Sequence, residues 1–159
     1  MSFAVGDKVV YPHHGATVIE RVETIEVLGV AQEYLVLRFE DVDLTLRVPS
    51  DQATTVGLRE VIGRVEVDDV FAVLRRRNVR MPSNWSRRFK NHTDMLKTGD
   101  IYQTAEVVRN LSQRQADKPL SVGEKRMLDR AARVLISELA LALTSDADRV
   151  RVLVGDALA

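Results

Sequence analysis

Near residue 60 the hydrophobic pattern of the chain changes its period, and this sets what the sequence can fold into. From residue 3 to about 50 the apolar residues fall in short runs, "KVVYP", "ATVIERVETIEVLG", "QEYLVLRF" and "DLTLRVP". These runs are rich in Val, Ile, Leu, Thr and Tyr and are cut by turn residues, the composition of strands. In the last run Leu44, Leu46 and Val48 alternate with Thr45 and Arg47, so one side of that strand is buried and the other is free. Short strands with Gly6, Gly15 and Gly29 at the bends predict a small SH3-like or Tudor-like β-barrel over residues 1–60. Beyond "DQATTVGLREVIGRVEVDD" the period becomes helical. Asp68 and Asp69 are placed to cap "VFAVLRRR". "WSRRFKNHTDMLKTG" ends at Gly99, and "DIYQTAEVVRNLSQRQ" follows Asp100. "SVGEKRMLDRAARVLISELALAL" opens with Ser121 and Glu124 in capping-box spacing, and a last short helix covers about 146–157. The expected class is α+β, a β module followed by an all-α compact bundle of four or five helices over residues 61–159.

Charge divides the chain at nearly the same place. Residues 1–70 carry six Lys/Arg against thirteen Asp/Glu, a net −7 that the remainder balances. Between Arg75 and Arg133 fifteen cations face six anions, a net +9. Two modules with different partners are expected, the second suited to a polyanion, although solvated helical faces also carry such charge. The chain has 159 residues and is 45% hydrophobic, enough for two small cores and too apolar for disorder. Glu138 interrupts the longest apolar run, so no membrane span is expected, and "MSFAVGDK" lacks the flank of a secretion signal. Zero cysteines exclude disulfides and thiolate metal sites. The reading is a cytoplasmic protein.

Catalytic candidates are few. His13 and His14 sit in "YPHHGA", where Pro12 and Gly15 mark a tight turn, and adjacent strand histidines point to opposite faces rather than to one metal. No G-x-S-x-G, P-loop or G-x-G-x-x-G pattern occurs, and Asp68/Asp69 and Asp146/Asp148 suit helix N-termini. The expectation is a non-enzyme with no cofactor and no metal.

The lone tryptophan carries the sharper signal. Trp85 stands in "NWSRRFK" among Arg87, Arg88 and Lys90. Trp85, Phe89, His92 and Leu96 recur at helical spacing, which fits ordinary core or a staple over Phe89. Yet Trp85 comes just after Pro82, Ser83 and Asn84, where a helix begins and the chain lies near the surface. An exposed ring flanked by cations fits a stacking platform or wedge on nucleic acid.

Four stretches, "VGDKVVYPHHG" at the N-terminus, "LRVP" at 46–49, "NWSRR" at 84–88 and "LSVGEKRML" at 120–128, together resemble the CarD/CdnL family of bacterial transcription regulators, in the same order along nearly the whole chain. The resemblance implies a Tudor-like N-terminal domain that docks on the β subunit of RNA polymerase, similar to the polymerase-binding domain of the transcription-repair coupling factor. It also implies a helical domain on promoter DNA without strong base specificity, with Trp85 in the minor groove at the upstream edge of the transcription bubble. On that pattern Arg87, Arg88 and Lys90 hold phosphates, with Lys125 and Arg126 as a second patch, while Arg47, Ile25 and Val27 face polymerase. The family often has a basic residue where this chain has Ile25. The expected state is a monomer. Two other readings compete: a sequence-specific binder whose long helix from Ser121 reads the major groove, and a polymerase-binding adaptor that recruits another protein while Trp85 is merely packed.

Overall fold

The β-branched runs form strands and the glycines fall between them. The computed structural model describes residues 2–159 as two compact units, one ending at Val61 and the other beginning at Ile62. In the first, β1 (Lys8–Tyr11), β2 (Gly15–Val27), β3 (Val30–Phe39), β4 (Leu44–Pro49) and β5 (Arg59–Glu60) make one antiparallel sheet in the order β4-β3-β2-β1-β5. No pairing joins β5 back to β4 among the described residues, so the ladder is an open sheet rather than the closed barrel that the strand spacing suggests. Val9, Ile19, Leu35, Leu37, Phe39 and Val48 build its core with Ala53 and Leu58 from the β4–β5 connection. The alternation in β4 is as expected, with Leu44, Leu46 and Val48 inward and Arg47 outward. His13 and His14 lie in the β1–β2 turn, where His13 has φ 70° and the His14 ring packs beside Tyr11 and Phe39.

A register shift between Ile19 and Arg21 bends β2, and beyond it the β2–β3 hairpin runs well past the core. Val27 pairs with Val30, leaving Leu28 and Gly29 as a two-residue turn. Their φ values of 53° and 78° are those of a primed turn, which matches the twist of the flanking strands.

The second unit holds α1 (Arg64–Arg75), α2 (Trp85–Lys97), α3 (Ile101–Asp117), α4 (Val122–Leu143) and α5 (Ala147–Leu158). Their apolar stripes meet in one cluster that includes Val70, Leu74, Val107, Leu111, Leu135, Leu139 and Val150. The caps are local and legible. Asn84, Asp100, Ser121 and Asp146 each accept a backbone N–H from the first turn of the helix that follows. One expectation fails: Asp68 and Asp69 lie inside α1, which begins five residues earlier than a cap at Asp68 requires. Gly63 is the N-cap, and its N–H is taken by the Glu66 carboxylate at 3.0 Å, half of a capping box without a Ser or Thr to advertise it. Glu138, which breaks the apolar run of α4, is buried and accepts the Ile62 N–H at 3.0 Å.

Candidate nucleic-acid and polymerase interfaces

The start of α2 lies against the start of α4, and Trp85 stands where they meet. As the first residue of α2 it remains 45% exposed, too open for a core tryptophan. Its ring stacks on Phe89 one turn later, with centroids 4.8 Å apart and planes 22° from parallel. Its Nε1–H donates to Ser121 Oγ at 2.9 Å. Ser121 Oγ also accepts the Glu124 N–H at 3.1 Å as the cap of α4 and donates to Glu124 Oε1 at 3.3 Å. Beneath it Glu124 meets Arg88, Nε to Oε2 at 2.8 Å and Nη2 to Oε1 at 3.3 Å, and both side chains are buried. Burial pushes the Glu124 carboxyl up, but the hydrogen bonds and charge of Arg88, with those of Ser121, outweigh it and hold the group below its ordinary value.

Arg88 therefore cannot hold phosphate as its neighbours suggest. At 2% exposure it points inward, and its Nη1 donates to the carbonyls of Pro82 and Ser83 at 3.1 and 3.2 Å, tying down the chain that leads into α2. Its place on the helix explains this: Trp85, Arg88, Phe89 and His92 follow i, i+3, i+4 and i+7, the stripe that faces the fold. Arg109 is likewise buried and bound to Val73 O and Asn110, so the basic excess of this segment is smaller at the surface than in the sequence.

The other cations stay outside. Arg87, Lys90, Lys125 and Arg126 are exposed, the first two on α2 and the last two in the opening turns of α4. Lys90 holds Asp94 at 2.9 Å, and its hydrogen bond and charge keep that carboxyl below its usual range. Such an exposed i,i+4 pair is weak and yields readily to a phosphate. Because Trp85 opens α2 and bonds the N-cap of α4, the positive ends of both helices lie beside the ring.

On the first unit, cross-strand register places the expected polymerase residues on one sheet face. Arg21, Glu23, Ile25 and Val27 share one face of β2, opposite Val36, Tyr34, Gln32 and Val30, and Arg47 pairs with Val36 from the other side. Glu23 sits between two arginines, accepting from Arg47 Nε at 2.9 Å and Arg21 Nε at 2.8 Å. The bond from Arg47, then that from Arg21, holds the Glu23 carboxyl below its normal range. Arg47 is thus laid along the sheet with half its side chain still open to solvent. Ile25 and Val27 are exposed, and Leu28 at the hairpin tip is 98% exposed. The sequence offered a sign for Leu28, an apolar residue in the first position of a two-residue turn, but not for Ser121 as a partner of Trp85, because that contact joins residues far apart in the chain. Groups of side chains able to hold a metal ion are absent among the described residues.

Comparison with known proteins finds a different family model along each part of the chain. Residues 3–62 match the CarD-like/TRCF RID domain, and residues 69–155 match the CarD C-terminal domain. "Putative transcription factor YdeB" of Bacillus subtilis is 36% identical over 137 residues, covering 86% of this chain and 90% of that protein. The solution NMR structure of the 72-residue N-terminal domain of Myxococcus xanthus CarD is 30% identical, covering 37% of this chain and 79% of that one with a TM-score of 0.32. With one match on each unit and a relative aligned along most of its length, the chain belongs to the CarD family of transcription regulators that interact with RNA polymerase.

Proposed function

We propose that the protein docks on the β subunit of RNA polymerase through the outer face of β2–β4 and holds promoters open with Trp85. The half-exposed indole, fixed at the junction of two helix starts that also carry the exposed cations Arg87, Lys90, Lys125 and Arg126, is the observation that carries this reading. Re-closing a bubble requires the strands to restack at the upstream fork. A ring lodged in the minor groove there opposes restacking, and a base–aromatic contact returns about 1–3 kcal/mol. Arg87, Lys90, Lys125 and Arg126 supply phosphate contacts that position the wedge without reading bases. Polymerase delivers the protein to promoters, so it acts in the cytoplasm.

Arg47, Ile25, Val27 and Leu28 form the docking surface, an arginine beside an apolar strip. Such a surface has a desolvated centre and a charged rim that sets orientation. Where the family often has a cation, Ile25 shifts the contact toward apolar burial.

The two activities separate by mutation. Arg47→Glu lowers co-purification with polymerase and, with it, open-complex stabilisation. Trp85→Ala leaves co-purification at the wild-type level and loses the stabilisation. Equal loss of both activities in both variants contradicts the division of labour, and a Trp85→Ala variant that keeps both polymerase binding and open-complex stabilisation favours an adaptor whose tryptophan is merely packed.

A further inference from the structure

Building on that reading, we infer that Ser121 is a positioning residue for Trp85, which as a result meets DNA with one ring face and no hydrogen-bond donor. The serine hydroxyl has one hydrogen to give and two lone pairs to offer, and all three are committed. It gives its hydrogen toward Glu124 Oε1 (3.3 Å) and accepts from Glu124 N (3.1 Å) and Trp85 Nε1 (2.9 Å). Donation toward the carboxylate turns the lone pairs outward, one to the helix start and the other to the indole. The carboxylate itself is fixed by buried Arg88, so the series Arg88, Glu124, Ser121, Trp85 runs from the interior to the exposed ring.

Two further contacts set the ring plane. Phe89 covers one face of the indole at 4.8 Å. Gly123 lets the pair lie close to α4, because a Cβ there would sit 3.2 Å from Phe89 Cε1 and 3.9 Å from Trp85 Cζ2. A single face is left for a base. An indole that has given its only N–H to Ser121 has nothing to donate to the acceptors of the minor groove, where A·T and G·C pairs differ. The wedge is therefore indifferent to base edges by construction, and its rotamer is set before DNA arrives, which lowers the ordering cost on binding.

Ser121→Gly separates this role from capping, since glycine replaces serine at an N-cap at a cost of only a few tenths of a kcal/mol. Trp85 is the lone tryptophan, so its fluorescence reports the ring directly. The time-resolved anisotropy of free Ser121→Gly should gain a fast component that Ser121→Thr, which keeps the hydroxyl, lacks. Open-complex lifetime should fall by about two- to tenfold for Ser121→Gly, the range of one lost hydrogen bond, with polymerase binding unchanged and Ser121→Thr near wild type. Benzothienylalanine at position 85 keeps the ring shape and the α4 cap but has no N–H. It should shorten the lifetime similarly, and adding Ser121→Gly should cost nothing more, because both changes remove one bond. A wild-type anisotropy decay in Ser121→Gly overturns the inference. So does an unchanged lifetime in Ser121→Gly where Trp85→Ala shortens it, or fully additive losses in the combined variant. If Trp85→Ala itself leaves the lifetime unchanged, the wedge reading fails, and anisotropy alone decides whether Ser121 fixes the ring.

Discussion

At the scale of single residues, Arg87 and Arg88 are neighbours with opposite fates. Arg88 is buried in an ion pair with Glu124, and removing one partner leaves the other charge desolvated and alone. Arg88→Ala should therefore lower unfolding stability by about 3–5 kcal/mol, measured by chemical denaturation. Arg87→Ala should leave stability near wild type and reduce the salt dependence of DNA binding by about one counterion. A DNA defect without destabilisation in Arg88→Ala would restore that side chain to the surface role its sequence context suggests. Part of this was legible in advance. Position i+3 from Trp85 lies on the buried stripe, and Ser121-x-x-Glu124 announces a cap. What local sequence does not carry is the partner: Glu124 and Ser121 lie 36 residues from Arg88 and Trp85. In sequence an arginine reads as surface, because it is buried only when a partner pairs with it, and here that partner is distant in the chain.

Elements were more legible than sites, because period and caps are local. The four side-chain caps and the alternation of β4 follow directly from residue type, whereas α1 starts early through a Gly63–Glu66 pairing that lacks the usual hydroxyl. The β2–β3 hairpin carries an element-scale prediction. Leu28 occupies a left-handed turn position, fully exposed, where Asn followed by Gly is the favoured pair. Leu28→Asn should raise stability by about 0.5–1 kcal/mol and weaken polymerase binding, a trade that equilibrium denaturation and co-purification read separately. Between α2 and α3, Arg109 can only donate, so the Asn110 side-chain oxygen faces it and the amide nitrogen donates to His92 Nε2 at 3.1 Å. His92 is thus neutral, with its proton on Nδ1. Burial lowers its pKa, the Glu124 charge opposes this and the Arg88 charge adds to it. The unfolded chain takes up the proton first as pH falls, so the contribution to stability is complete above the ordinary histidine value. It is lost progressively below that value, down to the lowered folded pKa. A denaturation midpoint that falls between pH 7.5 and 5.5, and falls less in His92→Gln, checks the sign.

For the whole molecule, what matters is that each unit carries its own core, Val9 to Leu58 in one and Val67 to Ala157 in the other. The change of hydrophobic period and the change of charge sign both fall near that division, which is why the two-part organisation could be read from sequence. The open edge of the sheet could not, since pairing between β4 and β5 depends on how far the connecting segment carries the chain. Either unit made alone should unfold cooperatively, and residues 62–159 alone should stabilise open complexes only at much higher concentration, because polymerase no longer holds Trp85 near the fork. The most direct test is the lifetime of competitor-challenged open complexes on one promoter, with wild-type protein, with Trp85→Ala and with none. Wild type should lengthen it by about tenfold for each 1.4 kcal/mol of wedge contact, and Trp85→Ala should return it nearly to the protein-free value while still bound to polymerase. A Trp85→Ala lifetime equal to wild type contradicts the account.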